Sequence, residues 1–428
     1  MNNDGFIVKH FGCLEKRYIN VTIIIIKTKM IGVIVVSSSS YLYVQISTFY
    51  TVPKKHHDFW TAQPLSPEED LEKKLLLESI AWPETPPLPT PLSLMETSCP
   101  AKSSFTILPQ SGDGQWHVGD KLKVLIKMYD FQGHPKKSGG DVLFARLHNL
   151  TLGAGVVGKV EDHLNGTYSA VFSLLWEGTV MLTLLHVLQR IKERSCNEVR
   201  LLQRIYQQSY CLSFFSGQVV VNSNNVESGP SGYYYHGAWQ TLSGTKVQQF
   251  NTPSAITQCL KGKVVHLQGD STIRQWFEYF SGALPGLKEF DLHSQKKIGP
   301  LMTVDIPNNI LVTYRCHGPP IGFPDVPISE LRYIANELDN VVGGTVVIIR
   351  TANPKALMLE RTLTNNEWYT LQNDKVLRAI FKGLNVYLLD AWEMVLAHHL
   401  PHDIHPPPPI IKNMINVILS YICPMKGG

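Results

Sequence analysis

Residues 263–277 have the sequence KVVHLQGDSTIRQWF. The apolar start predicts a short buried strand that stops at Gly269, and the residues after Ser271 predict a helix that begins directly. A serine between a strand end and a helix start lies at the rim of an open sheet, where ligands bind and where free helix amides favour negative charge. Such amides can stabilise an oxyanion, so Ser271 is a candidate nucleophile. The structural alternative is that Asp270 and Ser271 serve only as helix N-caps.

The residues around this stretch alternate between strand and helix patterns. The predicted strands are 263–268, 311–315, 345–350 and 385–389. The predicted helices are 272–280, 328–338, 375–381 and 409–421. Strands that alternate with helices in this way indicate an α/β domain with a mainly parallel sheet.

The region before this domain is rich in short strand patterns separated by glycine and proline turns. The predicted strands are 104–108, 121–128, 142–147, 166–172 and 179–184. Many short alternating strands with such turns indicate an immunoglobulin-like β-sandwich. We therefore expect a multidomain protein with a sandwich over 96–222, a linker over 223–262 and the α/β domain over 263–428.

Residues 1–95 predict a targeting segment followed by a stem. Basic residues precede a serine-diluted apolar stretch, which is the arrangement of a signal anchor over 30–50 with a cytosolic N-terminus over 1–29. A cleaved signal peptide and a buried strand with no targeting role are the alternatives, because the apolar run is short for a membrane span. The polar and then proline-rich segment 51–95 predicts a semi-rigid stem, with a structured subdomain as the alternative.

Charge, cysteines and sequons restrict the class of protein. The formal net charge is +4 over 428 residues with no long basic run, so there is no electrostatic case for nucleic acid. Six of the 7 cysteines follow the apolar stretch, which suits disulfides in an oxidising compartment, and none has the CxxC spacing of a zinc site. Sequons at Asn149 and Asn165 suit a glycosylated lumenal protein, whereas an anchor would leave the sequon at Asn20 unused in the cytosol.

Two sets of motifs resemble the neurexophilin and PC-esterase domain family, over about residues 66–423. The motifs similar to neurexophilin are 118–120 (VGD), 136–141 (KKSGGD) and 162–168 (DHLNGTY). The motifs similar to a PC-esterase domain, a relative of the SGNH hydrolases, are Gly269-Asp270-Ser271 with Arg274 close behind and His405 before a run of prolines. Their joint occurrence in this order is more specific than either set alone.

This resemblance implies a serine acyl-transfer site, with Ser271 as nucleophile and His405 as general base. Gly269, Asp270 and Arg274 would then lie at oxyanion or substrate positions. The similar proteins are glycan O-acetyltransferases and acyl esterases, so the implied partner is a glycan or glycoprotein and the implied location is the Golgi membrane or the extracellular space. We expect no metal and no bound cofactor; a transfer reaction would use an acyl donor such as acetyl-CoA. Without the resemblance, His405 is a solvated loop histidine.

The sequence departs from the family pattern in two places. SGNH-type enzymes commonly carry an aspartate three residues before the histidine, and here that position is His402. Asp403 and Asp390 are the remaining candidates for the acid that orients the imidazole, although Asp390 is also suited to cap a helix. A strand and a helix usual in the family are expected to be missing between Leu338 and Thr345. The alternative function is therefore a catalytically silent binding glycoprotein whose sandwich holds a partner.

Overall fold

The computed structural model of the protein describes residues 22–27, 67–80, 94–109, 116–189, 219–221, 231–242, 245–316, 345–355, 367–381 and 384–424. The expected anchor over 30–50, the expected helix over 328–338 and the sequon at Asn20 lie outside the described residues. Within the described ranges, no helix is long and apolar enough to cross a membrane.

The elements are numbered in chain order. The first group is β1 (Thr22–Lys27), α1 (Pro67–Ile80), β2 (Ser104–Ile107), β3 (Trp116–Val118), β4 (Lys121–Lys127), β5 (Asp141–Asn149), β6 (Ala154–Asp162), β7 (Thr167–Ser173), β8 (Met181–Gln189), β9 (Val219–Val221), β10 (Gly232–Tyr235) and β11 (Ala238–Thr241). The second group is α2 (Pro253–Leu260), β12 (Val264–Gly269), α3 (Ser271–Ala283), β13 (Lys288–Phe290), β14 (Leu301–Asp305), β15 (Ile310–Cys316), β16 (Thr345–Arg350), α4 (Glu367–Ile380), β17 (Tyr387–Leu389), α5 (Ala391–Ala397) and α6 (Pro408–Ile422).

The first sheet has the order β11-β10-β6-β7-β4-β2, with β5 pairing both β6 and β8, and all of its described pairings are antiparallel. Strand β6 changes partner along its length, because residues 154–158 pair with β5 and residues 159–162 pair with β7. Alternate residues of β4, β5 and β7, including Val124, Ala145 and Phe172, meet in one apolar core. The antiparallel pairing agrees with the predicted all-β character of this region. The described pairings join its strands into one sheet through β6, so they do not confirm an immunoglobulin-like sandwich of two separate sheets.

The segment 223–262, expected to be a linker, carries the hairpin β10–β11 and the helix α2. Tyr234 of the hairpin pairs with Gly155 of β6 and is buried together with Trp239. The hairpin also contacts α6, because the backbone N–H of Trp239 donates to Asn413 Oδ1 at 2.8 Å. The hairpin therefore extends the first sheet and joins it to the C-terminal region.

The second sheet has the order β13-β14-β15-β12-β1-β16-β17. Among the described strands of this sheet, the β12–β15 and β16–β17 pairings are parallel and the other four pairings are antiparallel. The prediction of a mainly parallel sheet is therefore wrong. The short connections between β13, β14 and β15 leave no room for the crossover that parallel pairing requires, and β1 enters the sheet in the opposite direction.

Helices α3 and α6 lie close to the predicted ranges 272–280 and 409–421. A disulfide between Cys259 and Cys423 ties α2 to the end of α6, while Cys99 and Cys316 are free thiols. This bond agrees with the expected use of cysteines in an oxidising compartment.

Strand β1 lies between β12 and β16, with Ile24 opposite Leu267 on one side and Ile348 on the other. Without β1, these two strands would face each other across one empty strand position. Residues 22–27 were expected on the cytosolic side of an anchor over 30–50. One membrane crossing after β1 would separate it from the sheet that it completes, so the pairing and such an anchor exclude each other.

Paired cysteines test the position of β1. Ile25 is opposite His266, and directly opposite residues of an antiparallel pair have Cβ atoms roughly 5 Å apart on the same face. We expect the pair Ile25→Cys and His266→Cys to form a disulfide in the full-length protein, identified by mass spectrometry of the linked peptides. The matched control is Ile24→Cys with His266→Cys, because a shift of one residue places the thiols on opposite faces. Equal cross-linking in both pairs, or none in either, would show that β1 does not pair with β12 in this register.

Candidate active site

Ser271 is the first residue of α3 and follows the end of β12 almost directly. The carboxylate of Asp270 caps the helix, accepting hydrogen bonds from the Thr272 N–H at 2.8 Å and the Thr272 hydroxyl at 2.6 Å. The Tyr314 hydroxyl lies 3.4 Å from the carbonyl oxygen of Gly269. The cap fixes the turn between strand and helix and so holds Ser271 at the junction.

His405 lies against Ser271. The distance from His405 Nε2 to Ser271 Oγ is 2.7 Å, which is within the range for proton transfer between a nucleophile and its base. The His405 side chain is exposed and Ser271 is half-buried. The pair therefore opens to solvent.

Neither candidate acid bonds to the imidazole. Asp403 Oδ1 accepts the backbone N–H of His405 at 3.1 Å, which is a local turn contact. Asp390 caps α5 by accepting the Glu393 N–H at 3.0 Å, and its other oxygen accepts from Arg378 at 2.8 Å. Across the described ranges, no carboxylate bonds to a ring nitrogen of His405. The described site is thus a serine–histidine dyad.

The first turn of α3 offers an amide to an oxyanion. The carbonyl oxygen of Asp270 accepts from the N–H groups of Ile273 and Arg274, both at 3.1 Å, and its side chain accepts from Thr272. The Ser271 N–H has no acceptor among the residues that the structure describes. This amide lies at the positive end of the helix dipole, where negative charge is favoured.

Arg274, a candidate for oxyanion or substrate binding, is engaged elsewhere. Its Nε donates to Glu278 at 3.0 Å, and its Nη1 donates to the carbonyl oxygen of Lys297 at 2.8 Å. These contacts hold the loop around residue 297 against α3. In this structure Arg274 therefore supports the loop beside the site.

The segment 398–406 carries His405 and has no regular secondary structure. Its carbonyl groups are bound by side chains from three other parts of the chain. Gln275 Nε2 donates to Pro406 at 3.2 Å, Asn353 Nδ2 donates to Asp403 at 3.2 Å and to Ile404 at 3.4 Å, and Arg146 donates to His398 and His399. Sequence reasoning missed all three donors, because no local motif marks them and only the fold brings them to this segment.

Asn353 is itself oriented by a buried arginine. Arg350, at the end of β16, donates to Asn353 Oδ1 at 2.5 Å and to the carbonyl oxygen of Thr351 at 2.9 Å. Its guanidinium lies over the ring of Trp276 in α3, 5.7 Å from the centroid. Burial lowers the pKa of Arg350 to about 10, and the charge of Asp270 opposes this shift. The guanidinium thus stays charged near neutral pH and links α3 to the histidine segment.

From the sequence we expect no metal site and two glycan acceptors, Asn149 and Asn165. No group of three or more His, Cys, Asp or Glu side chains placed to hold a metal occurs within the described ranges. The Asn165 sequon is exposed, whereas the Asn149 side chain donates to the carbonyl oxygen of Thr179 at 2.7 Å. Asn165 is therefore the more accessible of the two candidate glycan acceptors.

Comparison with protein families gives two matches. Residues 69–204 match the family model described as neurexophilin. Residues 239–345 and 343–423 match the model described as NXPE family member 4-like, C-terminal domain. The two segments of the second match meet at 343–345, where β16 begins and where a strand and a helix are expected to be missing. Ser271 and His405 both lie within the second match.

Proposed function

Because this chain belongs to the neurexophilin and PC-esterase domain family, we propose that it is an acyl esterase or O-acetyltransferase that acts on glycans in the secretory pathway. The observation that carries the proposal is the 2.7 Å contact between Ser271 Oγ and His405 Nε2. The Ser271 N–H at the start of α3, which has no acceptor among the described residues, supports it, because an acyl-transfer site needs a donor for the oxyanion.

The proposed reaction has two steps. Ser271 Oγ attacks the acyl carbonyl carbon while His405 Nε2 takes the serine proton, and the tetrahedral oxyanion faces the Ser271 N–H. The imidazolium then returns the proton to the leaving group of the donor, which leaves an acyl-serine. In the second step His405 deprotonates water or a sugar hydroxyl, which attacks the acyl group and releases Ser271. Water gives a carboxylic acid, whereas a sugar hydroxyl gives an acylated glycan.

The dyad also bears on the expected rate. In a serine triad, removal of the acid that orients the histidine lowers kcat by about 10⁴-fold without abolishing catalysis. We therefore propose a slow enzyme in which backbone contacts to the segment 398–406 replace part of the missing orientation. The exposed position of His405 leaves room for a large acceptor such as a glycan.

The family supports the proposed location, because neurexophilin and NXPE members are secretory-pathway proteins. An anchor over 30–50 with residues 1–29 in the cytosol would separate β1 from its sheet. We therefore favour a lumenal or secreted form in which residues 22–27 and the second sheet share one compartment.

The direct test uses the purified full-length protein with two substrates. One is an O-acetylated glycan, from which an esterase releases acetate. The other is the same glycan without acetyl groups, offered with acetyl-CoA, to which a transferase adds an acetyl group. We expect one of the two products to form faster than with the Ser271→Ala variant. If neither product exceeds that background, the enzyme proposal is refuted.

The second candidate is a catalytically silent binding glycoprotein. Two observations favour it: no described carboxylate bonds to His405, and the family match breaks at 343–345. Binding to a cell-surface glycan array that is unchanged in the Ser271→Ala variant, combined with no turnover, would support this candidate over the enzyme.

A further inference from the structure

Arg146 is a buried arginine in the middle of β5, with only 8% of its surface exposed. The two faces of β5 contact different parts of the molecule. Leu143, Ala145 and Leu147 fill the core of the first sheet, whereas Phe144 and Arg146 point from the opposite face toward the C-terminal region. Burial lowers the pKa of Arg146 to about 10. Among the described residues no carboxylate pairs with it, so neutral acceptors must satisfy its guanidinium.

Those acceptors all belong to one short segment. Arg146 Nη1 donates to the carbonyl oxygen of His398 and lies 3.3 Å from His402 Nε2, and Nη2 donates to the carbonyl oxygen of His399 at 3.3 Å. Burial and the nearby Arg146 charge lower the pKa of His402 to about 3, so its ring is neutral and can accept. The segment that Arg146 binds leads directly to His405.

The neighbouring contacts show how closely the two regions pack here. Gly155, on the strand beside β5, touches the carbonyl group of Ala397 so closely that an added methyl group would overlap it. Phe144, two residues before Arg146 on the same face, packs edge-on against Trp392 of α5 with ring centroids 5.3 Å apart. Strand β5 therefore holds α5 through Phe144 and the segment after α5 through Arg146.

We propose that Arg146 is a positioning residue for His405, supplied by the neurexophilin region to the active site of the C-terminal region. Gln275 and Asn353 hold the end of the segment near His405, and Arg146 holds its beginning. Loss of the Arg146 contacts frees three acceptors and lets the segment shift. A displacement of about 1 Å can lower a rate about 10²-fold.

The variant Arg146→Met tests this role without leaving a buried charge. Methionine keeps an apolar stem of similar length but has no donor, and replacing a buried charged group with an apolar one is often neutral or stabilising. The matched control is Phe144→Leu, which weakens contact with α5 on the same face of the same strand but leaves the bonds to 398–402 in place. Arg146→Lys keeps the charge and places its N–H donors on one ammonium nitrogen instead of the planar guanidinium fork.

The kinetic part of the test rests on the proposed function. We expect Arg146→Met to lower kcat about 10- to 100-fold with KM within about twofold, Arg146→Lys to recover part of the loss, and Phe144→Leu to stay near wild type. The structural part needs no activity: hydrogen exchange of the backbone amides in 398–405 should become faster in Arg146→Met and remain unchanged in Phe144→Leu.

Each outcome decides a different point. If the wild type is inactive but the amides in 398–405 still exchange faster in Arg146→Met, the enzyme proposal is refuted and the positioning role is kept. Unchanged exchange in a folded Arg146→Met variant would overturn the positioning role, as would equal effects of Arg146→Met and Phe144→Leu.

Discussion

Replacement of Ser271 with alanine is expected to lower kcat by about 10³-fold or more, because the acyl-enzyme cannot form. The folded structure should persist. Ser271 is half-buried at the first position of α3, where alanine is well tolerated, and the cap from Asp270 and the backbone N–H of residue 271 both remain. The measurement is the initial rate of acyl release or transfer, together with a thermal unfolding curve.

Ser281→Ala is the matched control for this variant, because it removes a hydroxyl from the same helix. Its rate should equal that of the wild type. If Ser271→Ala keeps more than about a tenth of the activity, the nucleophile lies elsewhere, since catalysis without the nucleophile retains only a small fraction of the rate.

The second large effect is expected for His405→Ala, which should also lower kcat by about 10³-fold or more, because the serine loses its general base. Asp403→Ala should have a much smaller effect, within about tenfold. Its carboxylate accepts the His405 backbone N–H, whereas removal of a true orienting acid costs about 10⁴-fold. The measurement is kcat for both variants under the same conditions.

His163→Ala serves as the histidine control, because His163 is an exposed residue of the first region. A loss near 10⁴-fold in Asp403→Ala would show that Asp403 orients the imidazole during the reaction. If His405→Ala lowers kcat only slightly, His405 is not the general base for Ser271 and the proposed dyad is wrong.

Local patterns predicted the secondary structure around Ser271 well. The apolar strand, the glycine stop and the helical pattern after Ser271 are encoded within about a dozen residues, and β12, the Asp270 cap and α3 follow from them. The proximity of His405 to Ser271 was implied only by the family resemblance, because the two residues are separated by 134 positions. The motifs identify Ser271 and His405 as a candidate pair, but they do not predict which side chains bind the segment that carries His405.

The side chains that position His405 could not be predicted from the sequence. Arg146 lies 252 positions before His398, and neither residue belongs to a periodic motif. The partners of Asp403 were also undetermined, because a side chain two residues before the histidine can turn either to the ring or to the backbone. In the structure the Asp403 carboxylate accepts a hydrogen bond from the backbone N–H of His405.

Sheet direction was the least predictable feature. The run TIIIIK at 22–27 suits a membrane-targeting segment as well as a strand, because both need only consecutive apolar residues. Periodicity does not say which strands become neighbours or which way they run. The antiparallel pairing of β1 with β12 and β16 joins distant parts of the chain. It makes the described sheet mostly antiparallel, and it cannot coexist with a single membrane crossing directly after β1.

The most direct test of the Ser271–His405 dyad is covalent labelling of the full-length protein with a serine-directed fluorophosphonate, followed by mass spectrometric mapping of the modified residue. We expect the phosphonate on Ser271 in the wild type and in Ser281→Ala, no label at position 271 in Ser271→Ala, and at least about 10²-fold slower labelling in His405→Ala, because the serine is reactive only with its base. A folded wild-type protein that is unlabelled at Ser271, or one that is labelled at the same rate without His405, would contradict the dyad.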